Sequence, residues 1–250
     1  MKLLLAAVLL AHSLPNPAPS QVVTASLARS LVECREKPDT PTVVLIPGGG
    51  AKPETWDKVL DPISAFTRVC TYERSGPAEN TNPPSVTEII TNLKDQLTAA
   101  NAPPPYILVG HSIGGLYARA FDKHYDNLVA AMLLLDSSHE EQIWRFQQSE
   151  PAALAEYPRW QDQSFMATQG FLPPNQHLEW QFHKPLIVIE HGIPPEPVWH
   201  AMQKDLGSRA PHSQLITASH SHHYIQNDEP QLVIDAVHAL TNKTRRLPTK

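Results

Sequence analysis

The segment Gly110-His111-Ser112-Ile113-Gly114 constrains the fold more than any other part of the sequence, because it lies directly between a strand-like apolar run and a helix-like stretch. A serine in such a segment occupies a strained turn with its hydroxyl pointing outward. The flanking positions need glycine because the strand and helix backbones nearly touch there. The pattern therefore predicts a strand–turn–helix unit that presents Ser112 as a candidate nucleophile.

The rest of the chain alternates short apolar runs with amphipathic stretches, which is typical of an α/β layered fold. Leu128–Leu135 is wholly apolar, as expected for a central parallel strand buried on both faces. Ser85 and Glu88 predict a capping box at the start of a helix, and Asp228 is the predicted cap of the last helix. We expect a mostly parallel central sheet with helices on both faces, and further strands at 42–46, 68–72, 106–109, 186–189 and 214–217.

The alternation breaks between Ser137 and Lys184, where no strand-like run occurs. We interpret residues 137–184 as a small helical insertion that forms a lid over the ends of the strands. An irregular surface insertion with no role at the site is the alternative.

The amino terminus predicts export. Lys2 precedes the apolar stretch Leu3–Ala11, and small residues and prolines follow it, as in a signal peptide. The stretch is about half of the ~20 residues that a membrane-spanning helix needs, so we expect no stable membrane anchor. We predict a signal peptide at 1–20, a single domain at 21–250, and a secreted or periplasmic protein.

Charge and composition exclude several classes of partner. The 25 acidic and 20 basic residues give a net charge of −5, which removes the electrostatic case for binding nucleic acid. His220, His222 and His223 invite a metal site, but no carboxylate adjoins them and no second histidine cluster stands at a recognised spacing. We therefore expect neither a metal nor a cofactor, and the sequence carries no signal of oligomeric state.

Three further segments accompany the glycine–serine segment. They are Pro47-Gly48-Gly49-Gly50, Tyr72-Glu73-Arg74-Ser75-Gly76 and Ser221-His222-His223-Tyr224-Ile225-Gln226. With them the chain resembles the α/β-hydrolase superfamily, in particular its serine hydrolases that carry signal peptides. The resemblance extends from about residue 29 to 240. It departs from the usual pattern at Pro47, Glu73 and His222, where the superfamily usually has His, Asp and Gly.

The resemblance implies an α/β-hydrolase fold and a small-molecule ester as substrate. Ser112 would attack a carboxylic ester and form an acyl-enzyme, with the backbone N–H groups of Gly49 and Ile113 as the oxyanion hole. His223 lies where this fold places its base, with His222 and His220 as alternatives. A thioesterase, lactonase or aminopeptidase would use the same residues. A non-catalytic protein that binds a ligand or partner is the alternative from another class.

The acid of the triad has more than one candidate. The superfamily's usual acid follows the penultimate strand, where this chain offers Glu190 and Glu196 but no Asp. Asp136 stands instead at the carboxyl end of the long apolar strand, where this fold gathers its chemistry. Some relatives take their acid from that position. We therefore predict Asp136 as the acid and keep Glu196 and Glu190 as alternatives.

The two cysteines, Cys34 and Cys70, are predicted to form a disulfide, since export, a count of two and the lack of a metal spacing all favour one. The strand order of the superfamily also implies that the strands holding them are neighbours. Two separate buried thiols are the alternative.

Overall fold

The computed structural model describes residues 31–35, 37, 41–74, 84–149, 162–174, 176 and 180–246. The predicted signal peptide and the middle of the predicted lid lie outside these residues, as do Ser75 and Gly76 of the segment Tyr72-Glu73-Arg74-Ser75-Gly76.

A seven-stranded sheet in the order β1-β3-β2-β4-β5-β6-β7 forms the centre of the described part of the chain. Its first strand runs antiparallel to β3, and every other neighbouring pair is parallel. The carboxyl ends of β2, β4, β5 and β6 therefore meet at one edge. The strands are β1 (Leu31–Arg35), β2 (Thr42–Ile46), β3 (Arg68–Glu73), β4 (Tyr106–His111), β5 (Val129–Leu135), β6 (Leu186–His191) and β7 (Gln214–Ala218).

Helices cover both faces of the sheet, which confirms the predicted α/β architecture. One apolar cluster joins the sheet to α2 and α3, and the other joins it to α1 and α8. The helices are α1 (Asp57–Ser64), α2 (Val86–Ala99), α3 (Ile113–His124), α4 (Gln142–Ser149), α5 (Gln163–Thr168), α6 (Pro197–Ser208), α7 (Ile225–Asp228) and α8 (Pro230–Arg245), with short 3-10 turns at Pro53–Trp56 and Asp126–Leu128. None of the described helices is both long enough and apolar enough to cross a bilayer.

The helix starts were predicted with mixed success. Ser85 and Glu88 form the expected capping box at α2. The prediction that Asp228 caps the last helix is wrong, because Asp228 ends the short α7 and the N-cap of α8 is Glu229. The Asp228 carboxylate instead accepts a hydrogen bond from the backbone N–H of His222. Asp228 therefore lies one residue before the N-cap position of α8.

The predicted disulfide is present. Strand register places Cys34 opposite Cys70, with Cα atoms 4.0 Å apart and the two sulfurs bonded. The bridge ties the antiparallel edge strand β1 to β3. In the chain-entropy model, the loop closed between Cys34 and Cys70 stabilises the folded protein by roughly 3–4 kcal/mol.

Candidate active site

Ser112 occupies the turn between β4 and α3 in a conformation that L-residues rarely adopt, with φ 54° and ψ −128°. The glycines beside it allow the backbones to approach. A Cβ on Gly110 would lie 2.5 Å from the Cα of Gly115, and one on Gly114 would lie 2.3 Å from the carbonyl oxygen of Ile46. Both contacts are too close for any side chain, so the physical need for glycine inferred from the sequence is met at both positions.

Backbone hydrogen bonds fix this turn against the next strand. The N–H of Ser112 donates to the carbonyl of Leu135 at 3.0 Å, and the carbonyl of Ser112 accepts from the N–H of Ser138 at 2.9 Å. Asp136 lies between these two residues of the neighbouring chain segment. The candidate nucleophile and the candidate acid are thus held together through their backbones.

Asp136 follows the last residue of β5 with φ 43°, and its side chain is fully buried. Its carboxylate accepts hydrogen bonds from the indole N–H of Trp199 at 2.6 Å, from Nδ1 of His223 at 2.6 Å and from Nδ1 of His191 at 2.8 Å. Burial opposes ionisation of Asp136, but the bonds from His191 and His223 outweigh it and hold the pKa of the carboxyl below its usual value. The site therefore contains a buried, charged carboxylate.

His223 lies between β7 and α7 with its side chain 43% exposed. A carboxylate can only accept, so the ring donates from Nδ1 to Asp136 and its Nε2 carries the free lone pair. His222 is 68% exposed and lies 3.6 Å from Asp228, while the Nδ1 of His220 contacts Ser219. Of the three candidate histidines, the structure brings His223 to Asp136.

The two alternative acids are occupied or placed elsewhere. Glu190 is buried and accepts hydrogen bonds from Nδ1 of His200 at 2.7 Å and from the hydroxyl of Thr217 at 2.8 Å. Glu196 is the N-cap residue of α6, where its side chain makes no capping bond. Among the described carboxylates, that of Asp136 accepts the hydrogen bond from Nδ1 of His223.

The predicted oxyanion loop lies against the turn of Ser112. A Cβ on Gly48 would lie 3.2 Å from the Cβ of Ser112, and one on Gly49 would lie 3.8 Å from Cγ2 of Ile113. Arg74 donates a hydrogen bond to the carbonyl of Gly48, which anchors the loop from its other side. The two backbone positions expected to form the oxyanion hole are therefore neighbours beside Ser112.

His111 connects the turn of Ser112 to the segment of His223. Its buried ring donates from Nε2 to the backbone carbonyl of His223 at 2.9 Å, and the two rings lie 4.6 Å apart. Burial, and then the nearby His223 ring, lower the pKa of His111 to about 4. Its Nδ1 is buried without a hydrogen-bond partner in the described part of the chain, as suits a neutral ring.

A family model described as the alpha/beta hydrolase family matches residues 43–210. The chain belongs to this family. The matched range includes the predicted oxyanion loop, the turn of Ser112 and Asp136, while His223 lies beyond its end.

Curated relatives of this α/β-hydrolase differ in length. The uncharacterized protein YqjL of Bacillus subtilis is 24% identical over 218 residues, which cover 79% of this chain and 82% of YqjL. The protein efuK of Hormonema carpetanum is 28% identical over 124 residues, which cover 47% of this chain and 18% of efuK. The chain thus spans less than a fifth of that longer relative.

Solved structures show the same fold at low sequence identity. The non-heme bromoperoxidase BpoC of Mycobacterium tuberculosis gives a TM-score of 0.63 at 15% identity, covering 87% of this chain and 97% of BpoC. A thermophilic esterase of Thermogutta terrifontis gives 0.62 at 17%, covering 86% and 93%. The enol-lactonase of Burkholderia xenovorans gives 0.61 at 12%, covering 85% and 96%. These likenesses establish the hydrolase fold.

Sequence reasoning missed two residues that contact the candidate acid Asp136, His191 and Trp199. His191 is the last residue of β6, at the same edge of the sheet as Asp136, and this position was the signal that could have identified it. Trp199 lies in α6, and its sequence context gives no sign of its bond to Asp136. Within the described residues, no group of three or more His, Cys, Asp or Glu side chains is arranged to hold a metal ion.

Proposed function

We propose that the protein is a serine hydrolase that cleaves a carboxylic ester through Ser112, His223 and Asp136. The observation that carries the proposal is the 2.6 Å bond from His223 to a buried carboxylate at the end of β5, beside the strained turn that presents Ser112. An imidazole held in this tautomer has its lone pair on Nε2, the atom that a general base needs.

The chemistry follows from these groups. The hydroxyl oxygen of Ser112 attacks the ester carbonyl while His223 takes the hydroxyl proton. The N–H groups of Gly49 and Ile113 stabilise the resulting oxyanion. Collapse of the tetrahedral intermediate breaks the bond to the alcohol, which leaves with the proton from His223. Water, activated by the same imidazole, then hydrolyses the acyl-enzyme. Asp136 stays ionised and stabilises the imidazolium in both halves of the reaction.

The substrate class is a small-molecule ester. Solved structures of similar fold include proteins named as an esterase and an enol-lactonase, which supports hydrolysis of an open or cyclic ester. A lactone is an internal ester and would use the same residues, so lactones form the second substrate class to test. Thioesters and aminoacyl amides, the substrates of a thioesterase and an aminopeptidase, are tested together with them.

Two further parts of the proposal concern location and access. We place the protein outside the cytoplasm, and the Cys34–Cys70 disulfide supports this because such bonds persist in oxidising compartments. We propose residues 137–184 as a lid. Phe146 of α4 stacks on Trp199 at 6.1 Å, and this contact between the start of the insertion and a residue bonded to Asp136 supports the proposed lid.

Turnover of a chromogenic ester panel tests the proposed function. Wild type and Ser112→Ala are compared on short and long acyl esters, a thioester, a lactone and an aminoacyl amide. The proposal predicts ester hydrolysis in the wild type and only trace turnover in Ser112→Ala, with both proteins equally folded. Full turnover by the variant contradicts the proposal, and binding without turnover by the wild type favours a non-catalytic protein.

A further inference from the structure

The Asp136 carboxylate holds two imidazoles rather than one. Nδ1 of His191 lies 2.9 Å from Oδ1 and 2.8 Å from Oδ2, and the backbone N–H of His191 donates to Oδ1 at 3.1 Å. His223 donates to Oδ2 at 2.6 Å. Because β5 and β6 are parallel neighbours, the fold brings the end of β6 to the acid through strand pairing alone.

We propose that His191 is a positioning residue of the active site. It orients the Asp136 carboxylate toward His223 and, as a second imidazole on the same carboxylate, supplies a positive charge beside His223 when it is protonated. The inference rests on the proposed function, in which His223 is the base.

The orienting role follows from geometry. A buried carboxylate held only by His223 could rotate about its side-chain bonds and weaken the bond at Oδ2. His191 contacts both oxygens, and Trp199 adds a third side-chain donor at Oδ1. These donors come from β6 and α6, so they hold the carboxylate from the side of the sheet beyond β5.

The protonation role follows from the charges around His191. The carboxylates of Asp136, Glu196 and Glu190 all act on it, and each favours its protonated form. The bond to Asp136 is the largest of these influences and raises the pKa of His191. Its side chain is only 8% exposed, so solvent screens the charges little. Once His191 is charged, its imidazolium and the His223 ring share one carboxylate, so His191 adds positive charge beside the proposed base.

The kinetic test uses two variants at His191 and one control. His191→Asn keeps a donor near Nδ1 but cannot take a proton, while His191→Ala removes both properties. His200→Asn is the matched control. It removes a histidine of α6 whose ring is bonded to a different carboxylate, that of Glu190. Each variant is measured with the ester that the wild type cleaves best, from pH 5 to pH 9, after circular dichroism shows that it is folded.

The proposal predicts different defects for the two substitutions. At pH 8.5 His191→Asn keeps kcat within about threefold of the wild type, and His191→Ala loses about tenfold in kcat with little change in KM. In His191→Asn the acid limb of kcat/KM, where it falls tenfold per pH unit, moves up by about half a pH unit. His200→Asn leaves both unchanged. Wild-type kcat in His191→Ala would overturn the orienting role, and an unmoved acid limb in His191→Asn would overturn the protonation role.

An NMR titration of the histidine rings separates this inference from the proposed function, since it needs no catalysis. In the full chain carrying Asp136→Asn, the titration midpoint of His191 should fall by about one pH unit relative to the wild type. An unchanged midpoint overturns the inference whether or not the protein cleaves esters. If turnover proves independent of Ser112, the proposed function fails while this titration still decides whether His191 takes its proton through Asp136.

Discussion

Nδ1 of His223 lies 2.6 Å from Oδ2 of Asp136, although 87 positions separate the two residues in the sequence. The proposed acid comes from the strand next to that of Ser112, rather than from the following strand where the superfamily usually carries it. Asp136 is buried and ionised, and it receives donors from three parts of the chain.

Asp136→Asn should lower ester turnover by roughly 10⁴-fold, because an amide keeps the shape but no longer stabilises the imidazolium or fixes the tautomer of His223. Steady-state kinetics on the best ester measures the loss. Glu196→Gln is the control, since the structure places Glu196 at the start of α6 with no capping bond, and it should be nearly silent. The reverse pattern would assign the acid to Glu196.

His111 should make the fold sensitive to mild acid. Its folded pKa of about 4 lies below the ordinary value of 6.5, so between these pH values the unfolded chain binds a proton that the folded chain does not. Stability is therefore lost as pH falls through this window, by about 2 kcal/mol between pH 7 and pH 5 for this group. Urea unfolding at the two pH values measures the loss.

His111→Gln should reduce that loss, because glutamine has no proton to take up and can still donate to the carbonyl of His223. The matched control is His183→Gln, which replaces an exposed histidine. Equal pH dependence in wild type and His111→Gln would show that His111 is not the group responsible.

Gly114→Ala should destabilise the fold by about 1–3 kcal/mol or prevent folding, since the new Cβ would lie 2.3 Å from the carbonyl oxygen of Ile46. Gly207→Ala is the matched control. It lies in α6, where a Cβ would come no closer than 3.6 Å to Ser213, and alanine favours a helix. Thermal unfolding compares the two, and an equally stable Gly114→Ala would contradict the close approach of α3 to β2.

The disulfide should carry a measurable share of stability. Replacing both Cys34 and Cys70 with serine removes the constraint on the unfolded chain and should lower the free energy of unfolding by roughly 3–4 kcal/mol. Urea unfolding of the double variant measures this loss, and the wild type in reductant is the independent check. Two free thiols titrated in the unfolded, unreduced protein would contradict the bond.

Much of the fold could be predicted because its signals are local. The apolar run that forms β5, the capping box at Ser85 and the glycines around Ser112 each depend on a few neighbouring residues. The pairing of Asp136 with His223 was predictable only because the chain resembles the α/β-hydrolase superfamily. The strand order of that superfamily indicates which distant segments lie side by side. Sequence reasoning therefore reached both residues that the structure joins.

The contacts of His111, His191 and Trp199 were not predicted, because they depend on distances between segments that are far apart in sequence. His191 reaches Asp136 through the register of β5 and β6, and His111 reaches His223 across 112 positions. The wrong cap at Asp228 has a local origin, since the short helix α7 ends at Asp228 and α8 starts one residue later than the prediction.

Covalent labelling with a fluorophosphonate tests the central claim most directly, since the probe reacts only with an activated serine and needs no knowledge of the substrate. Peptide mapping by mass spectrometry then locates the adduct. The proposed function predicts one adduct per chain on Ser112, much slower labelling in Asp136→Asn and none in Ser112→Ala. No adduct on the folded wild type, or one on another serine, would contradict the account.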